Sequence, residues 1–395
     1  MNTELIHTPE GVRDIYGKEY ANKLAIQNIL HKQIHLYGYQ DIQTPTFEYF
    51  DVFGKEIGTT PAKDLFKFFD SDGNILCLRP DFTPSMARCV AKYFVDEDLP
   101  LRLSYVGNTF SNTSLLQGKL KETTQMGAEL MGDDSVEADG EMIAMLIDAL
   151  LKTGLKQFQV NVGEIDYFKG ICEDLSLNEE QERVIRDYIS NKNFFAAKEF
   201  LQSENIPAEQ IEVIMAIEDL FGSVEVLEEA GKLSAHPLVQ GAIERLKALY
   251  EVLCAYGVEK YVSFDFGMLS SYQYYTGIIF KVYTIGIGDV VVKGGRYDKL
   301  LSFFGKNSPA IGFVIVIDDL MQALKRQKIE IEAKDKNLLI VYDGFGFEEA
   351  LKEAKEHRNK GVHVQLMKQD AGKSREDYEA YAKNHGIYQV IYLTK

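Results

Sequence analysis

A chain of 395 residues, 46% apolar and 26% charged, is too long for one ordinary domain and too apolar to be disordered or fibrous. Sixty acidic against 43 basic residues leave a formal net charge of −17, which speaks against a protein whose main business is gripping a phosphate backbone. Cys77, Cys89, Cys172 and Cys254 show neither Cys-x-x-Cys nor zinc-type spacing, no apolar run is long enough for a membrane span, and Met1-Asn2-Thr3-Glu4 opens no signal peptide, so a soluble cytoplasmic protein is expected.

Residues 18–35 carry Leu24, Ile26, Ile29, Leu30 and Ile34 on roughly one face, which predicts a helix. Gly38-Tyr39-Gln40-Asp41 then turns the chain into Ile42-Gln43-Thr44-Pro45. Strands are expected at 75–79 and 101–109, a strong helix at 139–153 stopped by Gly154, and a further strand at 158–162. From about 167 to 257 the pattern is almost wholly helical, with amphipathic runs at 179–190 and 240–256 broken by Asn205-Ile206-Pro207 and His236-Pro237. Because this stretch interrupts strand-rich segments, it reads as an inserted helical subdomain. Strand signals resume at 261–266, 277–283 and 289–292, and a helix from 318 to about 327 closes the block. A charged linker, 328–336, precedes a strand–helix–strand–helix–strand alternation at 337–342, 347–360, 362–367, 374–384 and 388–393. The expected organisation is a core over 1–327, the linker, and a small α/β domain over 337–395.

Several segments carry side chains suited to binding. Leu78-Arg79-Pro80-Asp81-Phe82-Thr83-Pro84 offers a carboxylate and a hydroxyl, although taken alone the segment reads more readily as a strand end with a solvated carboxylate. In Gln125-Met126-Gly127-Ala128-Glu129 the alternation puts Gln125, Gly127 and Glu129 on one strand face. An edge-strand glutamate facing water is the ordinary alternative, but a glycine between two polar residues hints at close approach by a ligand. Tyr272-Gln273-Tyr274-Tyr275-Thr276-Gly277 provides flat apolar walls bearing hydroxyls, and a core tyrosine pair is the alternative there. Gly294-Gly295-Arg296-Tyr297-Asp298 and Pro309-Ala310-Ile311-Gly312-Phe313 follow; the bare glycines would let a ligand or a neighbouring strand lie against the backbone. His31 and His35 lie one helical turn apart without the spacing of a zinc protease, so they read as surface residues and no metal site is expected.

In this order the segments resemble the histidyl-tRNA synthetase family. The resemblance opens at Thr8-Pro9-Glu10-Gly11-Val12-Arg13-Asp14, includes 39–45, which is similar to the dimer-forming motif of class II synthetases, and extends to about Leu320. It implies an α+β fold: a class II aminoacyl-tRNA synthetase-like antiparallel sheet flanked by helices, with a helical insertion and a small C-terminal α/β domain where the synthetases carry the anticodon-binding domain. It also implies a histidine pocket. Asp81 and Thr83 would hold the α-ammonium, Gln125 would reach the same group, Glu129 would accept the imidazole proton, and Tyr274 and Tyr275 would wall the ring. A carboxylate suits an ammonium through a short charge-assisted bond, and a ring N–H through an ordinary one. The family more often has glutamate at the position of Asp81.

The departures fall on the nucleotide side. Phe110 is followed by Ser111-Asn112-Thr113 where the family has an arginine after the phenylalanine, Asp318-Asp319 stands where it has glutamate-arginine, and Ser270 replaces a third arginine. Lys119 and Lys121 retain some positive charge nearby. Serine replaces neither the fixed charge nor the bidentate geometry of a guanidinium, and losing one such contact costs about 10²–10³-fold in rate. Adenylation is therefore not expected, nor any catalytic residue or cofactor. A scaffold that keeps the amino-acid pocket and loses the nucleotide grip resembles one branch of the family, the regulatory subunits of ATP phosphoribosyltransferase. The resemblance implies a short-form catalytic subunit as partner, the first step of histidine biosynthesis as the setting, and L-histidine as feedback effector. It further implies a homodimer within a hetero-oligomer, and no tRNA binding. Two alternatives stay open: a non-catalytic histidine- or tRNA-sensing paralogue with another partner, and a divergent histidyl-tRNA synthetase.

Overall fold

The computed structural model describes residues 6–54, 60–112, 120–269, 274–331 and 337–393. The chain divides into two compact units, one of Met1–Arg13 with Ile26–Glu330, the other of Asp14–Ala25 with Ile331–Lys395.

The first unit contains β1 (Gln40–Asp41), β2 (Phe47–Tyr49), β3 (Lys67–Phe69), β4 (Ile75–Leu78), β5 (Leu101–Phe110), β6 (Glu122–Met131), β7 (Phe158–Glu164), β8 (Phe221–Gly222), β9 (Val262–Asp265), β10 (Ile278–Thr284), β11 (Val292–Arg296) and β12 (Ala310–Val316). Nine of these, among the described residues, form one sheet in the order β1-β5-β6-β12-β11-β10-β7-β9-β8. Its pairings are antiparallel except β1 with β5 and β7 with β9, so the expected antiparallel sheet is a mixed one. The parallel pairs arise where long connections, not hairpins, join neighbours. β2, β4 and β3 make a small antiparallel sheet of their own.

Alternation gives the large sheet two unlike faces. Met126, Ala128, Leu130, Ile311, Phe313, Ile315, Phe280, Val282, Val160 and Val162 are all buried on one of them. Each large side chain so covered contributes about 1.5–3 kcal/mol of transfer free energy. The helix Val136–Lys152, opened by the Ser135 side chain accepting from Ala138 N, packs on β12 and on the helix Pro237–Tyr256. Those two helices close over Gly140, where a Cβ would stand 2.3 Å from Val252 Cγ1. The opposite face carries Gln125, Gly127 and Glu129.

Between β7 and β9 the chain runs through the helices Ile165–Asp174, Glu179–Ser190, Phe194–Ser203, Ala208–Ala216, Val226–Ala230 and Pro237–Tyr256. Asn178 and Gln181 form a reciprocal capping box at the second of these. The stretch is not wholly helical: Phe221–Gly222 returns to the large sheet as β8, too short to show a period in sequence. The strand expected at 289–292 begins at Val292 and runs on to Arg296. Two glycines in its middle hid its apolar alternation.

In the second unit β13 (Asn337–Tyr342), β14 (His363–Lys368) and β15 (Gln389–Leu393) pair in parallel, in the order β14-β13-β15. Leu338 and Ile340 on one face pack on Ala350 and Ala354 of the helix Phe347–Asn359, while Leu339 and Val341 on the other pack on Tyr378 and Ala382 of the helix Arg375–Asn384. A parallel strand buried on both sides reads as a continuous apolar run, as Leu338-Leu339-Ile340-Val341 does.

Candidate functional site

Register assembles the polar face. Leu103, Glu129, Gly312 and Gly295 stand in one row across β5, β6, β12 and β11, and Tyr105, Gly127, Val314 and Lys293 in the next same-face row. The glycines are what let large polar side chains lie down on this surface. A Cβ at Gly312 would stand 1.6 Å from Glu129 Oε2, one at Gly127 2.4 Å from the Tyr105 hydroxyl, and one at Gly295 2.7 Å from Tyr275 Cε1. Close approach at Gly127 was expected from a ligand; in the structure the hydroxyl of Tyr105 takes that space. Gly294 faces the other way, under the Phe280 ring.

Glu129 is the centre. β6 lies third in the sheet, so the edge-strand alternative does not hold, and the residue is 1% exposed. Its carboxyl accepts from Thr83 Oγ1 at 3.1 Å, from the Tyr105 hydroxyl at 3.4 Å and from the Tyr297 hydroxyl at 2.5 Å. Burial pushes its pKa up to about 8, against the opposing pull of the Tyr297 hydroxyl and with a further push from the charge of Asp81. The Asp81 carboxyl is raised too, by burial above all, although Thr83 N donates to it at 3.3 Å and Lys293 favours its charged form. Two carboxyls that resist ionisation beside one another make a place for a ligand bringing an ammonium and an N–H.

Phe82, Tyr105, Tyr274 and Tyr297 belong to one buried cluster against which Tyr275 packs. Phe82 stacks on Tyr105 with centroids 4.3 Å apart, and the Arg79 guanidinium lies 4.0 Å from the centroid of the Phe82 ring. The rings of Tyr274 and Tyr275 are 4.7 Å apart, and Tyr274 meets Tyr297 edge-on at 6.0 Å. Asp81, Thr83, Glu129, Tyr274 and Tyr275 are thus gathered in one place. Gln125 shares their face but stands four residues along β6 from Glu129, about 13 Å at the strand rise. Its Oε1 is buried with no hydrogen-bond partner among the described residues.

Tyr105 and Tyr297 are site residues that the sequence did not mark. Tyr297 lay inside a recognised motif as a neighbour of Arg296; Tyr105 had no local signal, because only the pairing of β5 with β6 sets it against Gly127. The same motifs also lock one another. Thr276 N donates to Arg296 O, Asp298 N donates to Thr276 Oγ1, and the Asp298 carboxylate accepts from Arg296 and from Ala310 N. Behind them Arg296 bonds Asp139 at 2.6 and 2.9 Å, and Arg245 reaches the second oxygen of Asp139.

Where the arginines of the nucleotide side were expected to be missing, Ser111 N donates to Lys121 O and Lys121 Nζ donates to Asn112 Oδ1. Asp318 accepts from Thr124 N at 2.7 Å, and Asp319 follows it in the first turn of the helix Ile317–Arg326. Ser270 and Lys119 lie outside the described residues.

A pH dependence follows. Glu164, which caps the helix Ile165–Asp174, is also pushed up to about 8, by burial and then by Asp166. Both glutamates hold their proton more tightly folded than unfolded, so the stability they confer is full below about pH 4.5 and lost as pH rises through about 8. The unfolding midpoint is therefore expected to fall steadily from about pH 5.5 to about pH 8.5. A midpoint rising over that range, followed by circular dichroism, would contradict it.

The sheet order and the motifs on it define a class II, histidyl-tRNA synthetase-like protein: the histidyl-tRNA synthetase family model matches residues 11–320. The histidyl-tRNA synthetase of Nostoc sp. PCC 7120, 20% identical, covers 97% of this chain and 90% of its own with a TM-score of 0.82, a likeness of fold alone. Within that class, the ATP phosphoribosyltransferase regulatory subunit of Acetivibrio thermocellus is 40% identical over 361 residues, 91% of this chain and 86% of the relative. Its namesake from Ruminiclostridium cellulolyticum is 37% identical over 100% of this chain and 93% of its own. A Bacillus halodurans C structure, named as an ATP phosphoribosyltransferase regulatory subunit/histidyl-tRNA synthetase, is 34% identical with a TM-score of 0.89 over 99% of both chains. The chain belongs to the family of ATP phosphoribosyltransferase regulatory subunits.

Proposed function

We propose that this chain is the non-catalytic regulatory subunit of an ATP phosphoribosyltransferase and that it binds L-histidine at the site around Glu129. The observation that carries the binding step is the buried Glu129 carboxyl, ringed by three hydroxyls beside Asp81 on a glycine-floored sheet face. An imidazole N–H suits Glu129, the α-ammonium suits Asp81 and Thr83, the stacked tyrosines suit the ring, and Gln125 is the remaining acceptor for the amino end. In the unliganded chain burial keeps Glu129 protonated below about pH 8; passing that proton to the entering ring leaves a carboxylate facing an imidazolium, so histidine with a neutral ring binds without a net change of protonation there.

The reading assigns the chain a short-form catalytic subunit as partner, histidine biosynthesis as its setting, and the cytoplasm as its compartment. Among the described residues no helix is long and apolar enough to cross a membrane. Feedback requires histidine to bind with different affinity in two states of the complex, since equal affinity would shift nothing. A homodimer through the segment 39–45 would supply the symmetric frame.

Isothermal titration of the full chain with L-histidine, and separately with ATP, tests this. Saturable heat with histidine and none with ATP is expected. ATP binding of comparable strength would restore the synthetase alternative, and a chain silent to histidine both alone and with the catalytic subunit would end the proposal.

A further inference from the structure

The helix Gly17–Leu36 carries His31 and His35 one turn apart, their rings 3.9 Å between centroids. Gly38, at φ +85°, reverses the chain into β1, whose Asp41 comes back beside the same two rings. His31 Nε2 lies 2.7 and 2.9 Å from the two Asp41 oxygens, and His35 Nε2 lies 3.1 Å from one of them. We propose that His31, His35 and Asp41 form a binding site for a divalent transition-metal ion of the zinc class.

Three features favour this over a plain surface ion pair, which is worth only about 0–1 kcal/mol. First, both rings aim the same nitrogen at one carboxylate, and the three donor atoms lie within 4.8 Å of one another. Donors at about 2.0–2.1 Å from a tetrahedral ion stand roughly 3.3 Å apart, so the ion needs only small side-chain adjustments. Second, the carboxylate is oriented from behind. The parallel β1–β5 register sets Asp41 against Ser104, and the Ser104 hydroxyl donates to Asp41 Oδ1 at 2.9 Å, the kind of outer contact that fixes a metal ligand. Third, the two imidazoles, on a helix outside the segment 39–45, are 37% and 38% exposed, which leaves room for water in the remaining position. Two imidazoles and one carboxylate select zinc, nickel or cobalt over magnesium or calcium. The sequence showed the helical pair alone; the third donor arrives through the Gly38 turn, which the absence of a zinc-protease spacing could not reveal. Such an ion would pin the end of the helix to the edge strand of the large sheet.

The test is calorimetric titration of the untagged full-length chain with zinc chloride, in a Cys254→Ser background so that the exposed thiol takes no part. One ion per chain is expected, with affinity at least about tenfold weaker in His35→Asn and in Asp41→Asn, lost in His31→Ala/His35→Ala, and no heat with magnesium. Zinc should raise the unfolding midpoint of the parent and leave that of the double variant unmoved. Cobalt should give the visible absorption of a low-coordinate site in the parent alone. No zinc binding by the parent, or equal binding by any one of the three folded variants, would overturn the proposal.

Discussion

Glu129→Gln is expected to weaken L-histidine binding by about 10–100-fold, the loss of roughly 1.5–3 kcal/mol that accompanies removal of a hydrogen bond to a charged group. The amide keeps the shape of the carboxyl: its oxygen can still accept from Thr83 and Tyr105, and its NH2 can donate to the Tyr297 hydroxyl oxygen where the carboxyl accepted from it, so the fold around it should stand. It cannot carry the charge that an imidazole N–H or imidazolium seeks. The same substitution separates binding from stability. Glu129 sits where burial opposes its ionisation, so at about pH 8.5 the variant is expected to unfold at an equal or higher temperature than the parent while binding histidine worse. Titration calorimetry and thermal unfolding on one preparation decide the matter. A variant that binds histidine within about twofold of the parent would remove Glu129 from the site.

The neighbours set the limits of this argument. Gly312 lies opposite Glu129 with no room for a Cβ, so the carboxyl rests against the backbone of β12. Rotation away from the three hydroxyls would bury them without a partner, at about 1–3 kcal/mol for each group. The carboxyl is held in place before any ligand arrives, and this preorganisation makes its chemical identity matter.

How much could be read from the sequence depended on the range of the interactions. The helix expected at 179–190 is Glu179–Ser190 and the strand expected at 337–342 is Asn337–Tyr342, because both are set by periodicity and caps within a few residues. β2 and β3, three residues each, and β8, two residues, offered no period to find. β11 was masked by the glycines that make it useful. Alternation alone put Gln125, Gly127 and Glu129 on one face; it could not say whether that face was an edge or the interior. Pairing of β6 between β5 and β12 settled that, and the same non-local register brought in Tyr105. Asp41 escaped notice for the same reason, since a turn and not a helical period brings it to the two histidines.

The largest loss of stability is expected from Arg296→Met. Arg296 and Asp139 are both almost fully buried, joined by two hydrogen bonds, and Asp139 has no access to water. Removing the guanidinium leaves a buried carboxylate whose other cation, Arg245, is 30% exposed and screened by solvent. Breaking a buried pair from one side costs about 3–5 kcal/mol, a large share of the stability of an ordinary domain. Arg245→Met, made from the solvent side, is expected to cost appreciably less. Replacing both buried partners, Asp139→Leu with Arg296→Met, should recover part of the loss, because no charge is then left stranded. Urea unfolding of the three variants makes the comparison, and an Arg296→Met variant within about 1 kcal/mol of the parent would show the pair to be dispensable. The consequence reaches the site through one peptide bond. Arg296 ties β11 to the helix Val136–Lys152, and the next residue, Tyr297, gives Glu129 its shortest hydrogen bond. Histidine affinity is therefore expected to fall in Arg296→Met even under conditions where the chain remains folded, and to fall less in Arg245→Met, which leaves that tie intact.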